Sequence, residues 1–253
     1  MDDPHPESWL APSPPHPPLR DGAVHVWRVR LASQHSADAL WPVLSLDEQA
    51  RARRFFQERH RRRYAIAHGA LRQILATYLE RPAETIEFAT GPHGKPTVFH
   101  PEPATRRLEF NLSHSGDLAL VAVAWDRPVG VDLEEWERDM NHLELAERFF
   151  SPREREALRA LAASADDLVR GFFAAWSRKE AYLKASGHGV THGLHHFDVT
   201  LAPHEPARLV ADRRDAQAPE RWRLVTLPPA PEFSGALVVA APFDELLLFD
   251  RPD

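Results

Sequence analysis

Residues 118–134 read Leu-Ala-Leu-Val-Ala-Val-Ala-Trp-Asp-Arg-Pro-Val-Gly-Val-Asp-Leu-Glu and carry the strongest strand signal in the chain. Two apolar runs, 118–125 and 129–134, flank the short segment Asp126-Arg127-Pro128. Apolar runs of this length, bounded by turn residues, predict two strands, and their closeness predicts that they pair as a hairpin. Because the turn lies near the middle of the chain, we expect a boundary between two halves there.

Helical and strand patterns occur on both sides of this turn. Before it, the pattern predicts a strand at 23–31, a helical region from 47 to about 79, and short strands at 85–88, 97–99 and 108–112. After it, the pattern predicts helices at 142–150, 152–163 and 166–186, and strands at 197–201, 207–210, 222–227 and 236–241.

Short motifs repeat between the two halves. An Arg-Phe-Phe triplet at 54–56 recurs at 148–150, and Ser-Gly precedes an apolar strand at 115–116 and again at 234–235. We therefore predict an α+β fold of two similar α/β halves related by a pseudo-two-fold axis, with halves at 20–126 and 127–253. Residues 1–19 are rich in proline and are expected to form a disordered tail.

The composition is that of a soluble globular protein. Of the 253 residues, 43% are hydrophobic and 27% are charged, and no apolar run is long enough to cross a bilayer. No secretory signal opens the chain, so we expect a cytoplasmic protein that does not bind membranes. The formal net charge of −6 argues against a general nucleic-acid binder. With no cysteine, any metal site must use oxygen or imidazole ligands.

Two carboxylates share one face of the strand at 129–134. Side chains alternate along a strand, so Asp132 and Glu134 point to the same side. Two like charges repel each other, and a hard divalent cation such as Mg²⁺ removes that repulsion. The alternative is an edge strand whose solvated acidic face blocks aggregation.

A third carboxylate lies on the apolar stripe of the helix at 166–186. Phe173, Trp176 and Glu180 fall on nearly one face, and a carboxylate among aromatic rings is costly unless it is paired or bound to metal. The alternative is an ion pair between Glu180 and Lys184, one turn further along the helix.

Other segments suggest contacts with phosphate. Small polar residues at 111–117 could bind phosphate oxygens through hydroxyls, amides and imidazole, or could simply form a turn. The Gly94-Lys95-Pro96 turn presents one lysine. Eight arginines between Arg51 and Arg72 could bind a phosphate-rich ligand or form only a solvated basic face.

Taken in order, these motifs resemble the 4′-phosphopantetheinyl transferase family, specifically its monomeric surfactin-synthetase-activating type. The motifs that resemble the family are Arg-Arg-Phe-Phe at 53–56, Gly-Lys-Pro at 94–96, Asn-Leu-Ser-His-Ser at 111–115, Gly-Val-Asp-Leu-Glu at 130–134 and Trp-Ser-x-Lys-Glu-Ala-x-x-Lys at 176–184. The acidic motif and the Trp-to-Lys motif are the most specific. The Gly-Lys-Pro turn is not specific.

The resemblance implies a cleft between the halves that holds coenzyme A and Mg²⁺. It implies that the metal ligands are Asp132, Glu134 and Glu180. It implies that the residues around coenzyme A are Arg51, Arg63, Lys95, Pro96, Ser113, His114 and Lys184, with the two arginines near the 3′-phosphate. The match of the arginines is looser, since Glu48 occupies a position that is sometimes basic in the family.

The resemblance also implies the reaction. The serine hydroxyl of an apo acyl- or peptidyl-carrier protein attacks the β-phosphate of coenzyme A, and 3′,5′-ADP leaves. Glu180 would take part in proton transfer, and His114 and Lys184 would stabilise the leaving group. The alternatives are a Mg²⁺-dependent phosphohydrolase, which the same carboxylates could serve, and a module that binds coenzyme A or carrier protein without catalysis.

Overall fold

A computed structural model describes residues 8–11, 18–91, 94–100, 105–187 and 193–252, and shows a mixed α+β protein. No helix within these ranges is both long and apolar enough to cross a membrane. Residues 92–93, just before the predicted Gly94-Lys95-Pro96 turn, lie outside the described residues, as do residues 1–7 and 12–17 of the predicted tail.

The first half is a four-stranded sheet covered by helices. Its strand order is β11-β1-β5-β4, and the strands are β1 (Ala23–Arg30), β4 (Leu108–Ser115), β5 (Leu118–Trp125) and β11 (Glu245–Asp250). The helices are α1 (Gln34–Leu40), α2 (Leu46–Arg53) and α3 (Glu58–Leu79), and a small hairpin joins β2 (Phe88–Thr90) to β3 (Pro96–Val98). Strand β11 comes from the end of the chain and runs parallel to β1.

The second half is a three-stranded sheet with the order β6-β10-β9. Its strands are β6 (Val129–Glu135), β9 (Trp222–Leu227) and β10 (Phe233–Ala240). The helices are α4 (His142–Phe149), α5 (Pro152–Leu161), α6 (Ala165–Ser186) and the short α7 (Ala218–Arg221), and a second small hairpin joins β7 (Phe197–Val199) to β8 (Leu209–Asp212).

Three apolar clusters hold these layers together. One lies between α3 and the four-stranded sheet, where Ile66 and Leu75 join Val121. A second lies between α6 and the three-stranded sheet, where Tyr182 joins Val238. A third, which includes Val24, Leu120, Val131 and Leu237, lies between the two sheets. The protein is thus two helix-on-sheet halves with the sheets in the middle, which confirms the predicted α+β fold.

The predicted hairpin between 118–125 and 129–134 is wrong. Both strands form, but β5 pairs with β1 on one edge and with β4 on the other, so it has no free edge for β6. Strand β6 pairs with β10 in the other sheet instead. The link between them turns at Asp126, whose φ of 52° lies in the left-handed region and whose carboxylate accepts a hydrogen bond from the Arg107 amide at 2.7 Å.

Two other predicted elements differ in their bounds. The helical region predicted from 47 to about 79 is two helices, because the chain leaves the helix between Arg53 and Glu58. The strand predicted at 85–88 is a 3₁₀ turn at Ala83–Thr85 followed by β2, which begins only at Phe88.

Part of the proline-rich N-terminal segment is described and joins the two halves. The Leu10 amide donates to the Leu248 carbonyl at 2.8 Å, and the Asp250 amide donates to the Leu10 carbonyl at 2.9 Å. The Trp9 indole donates to the carbonyl of Pro228, which follows β9, at 2.7 Å. These contacts fasten residues 9 and 10 to the last strand and to the second half.

Candidate functional site

The candidate site forms where α6 lies against β6, and Gly130 makes that approach possible. A Cβ atom at Gly130 would be 2.2 Å from the Ala181 carbonyl oxygen and 2.4 Å from the Ala185 amide nitrogen. Only a residue without a side chain therefore allows the two elements to pack this closely. The close packing brings the end of α6, with Glu180 and Lys184, alongside the acidic residues of β6.

Asp132 is the buried centre of this arrangement, with 3% of its surface exposed. Its Oδ1 atom accepts hydrogen bonds from Lys184 Nζ at 2.6 Å and from Ser113 Oγ at 3.0 Å. Its Oδ2 atom is buried and has no hydrogen-bond partner within the described residues. A buried carboxylate oxygen without a partner is costly, so it marks a place where a ligand atom belongs.

Glu134 and Glu180 are close enough to Asp132 for their charges to interact. Burial, followed by the charges of Asp132 and Glu180, raises the pKa of Glu134 to about 7. Burial and the charge of Asp132 also raise the pKa of Glu180, while Lys184 opposes that rise. The charge of Asp132 thus raises the pKa of both glutamates, and the charge of Glu180 adds to the effect on Glu134, so the site is short of positive charge.

The donor set of the three carboxylates fits a hard divalent cation. Six carboxylate oxygens, one of them the unbonded Asp132 Oδ2, are the ligand type that Mg²⁺ takes, and a bound cation would relieve their repulsion. As they stand, the described residues contain no group of three or more acidic, histidine or cysteine side chains already arranged around a metal position. The residues fit the ion, but they do not form a closed cage.

Lys184 links the acidic strand to β4. Besides Asp132, its ammonium donates to Ser113 Oγ at 2.9 Å and to the Val131 carbonyl at 3.2 Å. The ion pair with Glu180 that helix spacing suggested does not form, since Lys184 pairs with Asp132. Strands β4 and β6 are further joined by Asn111, whose side-chain oxygen accepts from the Val131 amide at 2.8 Å.

His114 lies among basic groups from both halves. Burial lowers the pKa of His114, and the positive charges of His68, Lys184 and Arg63 lower it further. The Arg63 Nε atom donates to Asp117 Oδ1 at 2.8 Å, on the turn after β4. The structure therefore brings His114, Arg63 and Lys184 into one electropositive region.

Two stacked rings, those of Tyr64 and His68, lie between Arg51 and the same electropositive region. The Arg51 guanidinium lies 5.9 Å from the centre of the Tyr64 ring, and Tyr64 stacks on His68 with ring centres 4.0 Å apart. Glu48, in contrast, is not a ligand position. It caps α2 together with Ser45 and forms an ion pair with the buried Arg72, with the Nε and Oε2 atoms 2.7 Å apart.

Lys95 and Pro96 lie at the other end of β6. The Lys95 ammonium donates to the Val129 carbonyl at 2.9 Å, and burial lowers its pKa. Pro96 is exposed at the start of β3. The structure does not place Lys95 beside the carboxylates, because its ammonium contacts the residue three positions before Asp132.

Two protein-family models match the chain, one in each half. The model of the "4′-phosphopantetheinyl transferase superfamily" matches residues 128–240, and that of the "4′-phosphopantetheinyl transferase, N-terminal" family matches residues 30–126. The chain belongs to the 4′-phosphopantetheinyl transferase superfamily.

Two relatives found by sequence agree with this family. The 4′-phosphopantetheinyl transferase HetI of Nostoc sp. is 41% identical over 235 residues, covering 92% of this chain and 94% of HetI. The 4′-phosphopantetheinyl transferase Sfp of Bacillus subtilis is 28% identical over 194 residues, covering 77% of this chain and 82% of Sfp. The structure of Thermotoga maritima holo-[acyl-carrier-protein] synthase is 22% identical, with a TM-score of 0.34, and covers 45% of this chain and 62% of that chain. The protein is a phosphopantetheinyl transferase of the Sfp type.

One feature of this transferase that the sequence did not reveal is a cavity beside Glu134. Its volume is about 500 Å³, and it lies between the end of β6 and the aromatic face of α6. The aromatic side chains lining it are Trp136, Phe172, Phe173 and Trp176. The position of Trp136 directly after the acidic motif was the available signal, but the shape of a cavity depends on tertiary packing.

A second missed feature is the anchoring of α6 by Lys179. This residue is fully buried and pairs with the buried Glu154, with Nζ and Oε2 2.8 Å apart. It also donates to the carbonyls of Leu194 and Phe197. The other Glu154 oxygen accepts from the Val199 amide at 2.8 Å. Because the buried charges are paired and hydrogen-bonded, they fix the rotation of α6 and hence the direction of Glu180.

Proposed function

We propose that this transferase moves the 4′-phosphopantetheine group of coenzyme A to a serine of an apo acyl- or peptidyl-carrier protein, with Mg²⁺ as cofactor, and releases 3′,5′-ADP. One observation carries the assignment of the site. The buried Asp132 lies between a lysine and two further carboxylates and leaves one oxygen without a partner.

Asp132, Glu134 and Glu180 would hold the Mg²⁺ ion. When bound, the ion supplies positive charge to the pyrophosphate of coenzyme A and so lowers the cost of negative charge at the transferring phosphorus. Without it, the carboxylates would repel a phosphate ligand. This agrees with the raised pKa values of Glu134 and Glu180, which mark a shortage of positive charge around them.

The basic region next to these carboxylates suits the diphosphate. Lys184 and Ser113 would donate to its oxygens, and His114 would donate to the 3′-phosphate of coenzyme A. Lys184 and His114 would then stabilise the charge on the leaving 3′,5′-ADP. Arg51 and Arg63 would contact the 3′-phosphate. In support, Arg63 is close enough to His114 for its positive charge to lower the pKa of the imidazole. A ligand in contact with His114 would therefore also lie near the Arg63 guanidinium.

Lys95 and Pro96 would border the adenine end of coenzyme A. Lys95 already donates to the Val129 carbonyl, so we expect it to hold the wall of that end of the cleft rather than to bind a phosphate.

The proton of the carrier serine would leave through Glu180. As the serine oxygen forms its bond to the β-phosphorus and the bond to the bridging oxygen breaks, Glu180 accepts the hydroxyl proton. Burial and the charge of Asp132 raise the pKa of Glu180, which favours proton uptake, whereas Lys184 and a bound Mg²⁺ ion would act in the opposite direction. The diphosphate linkage of coenzyme A supplies the leaving group, so no covalent enzyme intermediate is required.

Incubation of the protein with coenzyme A, Mg²⁺ and an apo carrier protein tests this function. We expect the carrier to gain the mass of one phosphopantetheine and 3′,5′-ADP to appear in equal amount. Release of inorganic phosphate without a mass gain would indicate a phosphohydrolase. Tight binding of coenzyme A with neither product would indicate a non-catalytic module.

We further propose that the enzyme works as a cytoplasmic monomer that binds neither nucleic acid nor membranes. The formal net charge of −6 supports the first exclusion, since a phosphate backbone repels a protein of the same sign. Light scattering after size-exclusion chromatography tests the monomer. A mass near twice 28.7 kDa would contradict it.

A further inference from the structure

A second cavity lies behind the candidate site, and nothing in the transfer reaction uses it. Its volume is about 540 Å³, and it is enclosed by α6, by β9 and β10, and by the loop at 203–207. Trp136 lines both this cavity and the one beside Glu134. The two cavities are therefore neighbours that share the Trp136 side chain.

The inner end of this cavity carries a buried guanidinium. Arg178 is only 4% exposed and donates to the Thr200 hydroxyl at 3.2 Å and to the Thr226 hydroxyl at 3.0 Å. It also donates to the Thr200 carbonyl. Neutral oxygens thus hold the guanidinium in place, but they do not balance its charge.

Arg178 forms no ion pair with any acidic residue in the described part of the chain. Burial lowers its pKa to about 10, and the charge of Glu205 on the cavity loop opposes that change. Buried charges are normally paired, because an isolated one is expensive to remove from water. Arg178 therefore lines an open cavity without a direct ion-pair partner among the described residues, although the Glu205 carboxylate on the same cavity offsets part of its charge, and a ligand could supply the missing partner.

Most of the other lining side chains are apolar, and the polar ones are Arg170, Ser177, His204, Glu205, Thr226 and Ser234. The apolar lining includes Ala174, Pro206, Ala207, Leu227 and Phe233. A cavity of this kind suits a ligand that has an apolar body and one anionic end. A guanidinium fork matches the two oxygens of a carboxylate, which accepts two parallel hydrogen bonds.

We propose that this cavity is a binding site for a small monocarboxylate with an apolar chain, with its carboxylate on Arg178 and its chain against Leu227 and Phe233. The site is separate from the proposed coenzyme A cleft. A ligand there would lie near Trp136, which also lines the cavity beside Glu134.

Hexanoate is a suitable probe, and its binding can be followed by ligand-observed NMR and by titration calorimetry on the full chain. We expect the wild-type protein to bind hexanoate and to bind the neutral hexanamide at least about tenfold more weakly, because only the acid supplies the missing charge. Arg178→Met keeps an unbranched side chain but removes the charged guanidinium. It should weaken hexanoate binding about 10- to 100-fold.

Two further variants separate binding at Arg178 from other effects of the substitution. Arg170 lines the mouth of the cavity but is half exposed and paired with Asp166 at 2.8 Å, so Arg170→Met should leave hexanoate affinity within about twofold. Ala174→Phe fills the cavity and leaves Arg178 in place, so it should also abolish binding, whether or not Arg178→Met folds.

Three results would overturn the proposal. The first is no binding of hexanoate by the folded wild-type protein at tens of millimolar. The second is an equal loss in the Arg170 and Arg178 variants, which would place the acid at the mouth. The third is a carrier-protein KM that rises in Arg178→Met while hexanoate does not bind. That result would assign the cavity to an acidic side chain of the partner.

Discussion

Lys184 Nζ lies 2.6 Å from Asp132 Oδ1, and this contact joins the last turn of α6 to the centre of β6. Asp132 is buried, whereas the Lys184 side chain is 28% exposed. Because water does not reach the buried Asp132 side chain, Lys184 stabilises the negative charge of its carboxylate.

We expect Lys184→Met to lower the free energy of unfolding by about 2 kcal/mol in metal-free buffer, because it removes a charge-assisted hydrogen bond and leaves Asp132 unpaired. In an Asp132→Asn background the same change should cost much less. A double-mutant cycle from urea denaturation measures the coupling. Arg148→Met is the matched control, since its ion pair with Glu144 is exposed and should contribute almost nothing. Equal losses in both backgrounds would show that the two residues are not coupled.

The approach of α6 to β6 can be tested at Gly130. We expect Gly130→Ala to destabilise the protein by about 1–3 kcal/mol, because its Cβ would overlap the Ala181 carbonyl and force the helix away from the strand. Phosphopantetheine transfer should fall with it, since Lys184 and Glu180 would move relative to Asp132. Urea denaturation checks the first effect. Unchanged stability would mean that the helix does not press on the strand.

Acid stability should depend on Glu48. Burial alone raises the pKa of Glu48, but hydrogen bonds from His68, the Ser45 amide and Arg72 outweigh burial and lower it to about 2. Since the folded pKa is below the ordinary value of 4.5, this stabilisation is present above pH 4.5 and disappears as the pH falls towards 2. After allowance for solvent screening, the stabilisation amounts to roughly 1–3 kcal/mol.

Glu48→Gln therefore should be less stable than wild type at pH 7, and the difference should shrink as the pH falls from 4.5 to 2. Denaturation curves over that range measure it, and Glu144→Gln, at an exposed pair, serves as the control. A difference that stays constant with pH would rule out the ion pair with Arg72 as its source.

Much of the site followed from local sequence patterns, but its assembly did not. The alternation at β6 predicted that Asp132 and Glu134 share a face, and the stripe of α6 singled out Glu180. These features depend on residues near one another in the chain. The partner of β6 depends instead on which strand edges remain free, and β5 uses both of its edges elsewhere. For this reason the predicted hairpin was wrong.

Ion pairs between residues that lie far apart in the sequence could not be predicted either. Helix spacing suggested a pair between Glu180 and Lys184, yet the lysine pairs with Asp132, 52 positions away in sequence. Glu48 was read as a departure from a basic position, and its capping and pairing with Arg72 became visible only in the fold. The charge-bearing cavity at Arg178 gave no sequence signal, since an arginine on a helix is usually solvated.

Ligand selectivity tests the basic region. We expect Arg63→Ala and His114→Ala each to weaken coenzyme A binding by about 1.5–3 kcal/mol and to leave binding of 3′-dephospho-coenzyme A nearly unchanged, because each loses a charge-assisted contact with the 3′-phosphate. Asp117→Asn is the matched control. It removes the partner of Arg63 and should keep or strengthen coenzyme A binding. Titration calorimetry decides the point, and equal losses for both ligands would place the two residues elsewhere.

The intact mass of an apo carrier protein, measured after incubation with coenzyme A, Mg²⁺ and either wild-type enzyme or Asp132→Asn, tests the central claim most directly. The substitution keeps the size of the side chain and removes the charge at the centre of the carboxylate group. The carrier should gain one phosphopantetheine with the wild-type enzyme and almost none with the variant, while circular dichroism shows that the variant is folded. Near-normal transfer by folded Asp132→Asn would contradict the assignment of this site.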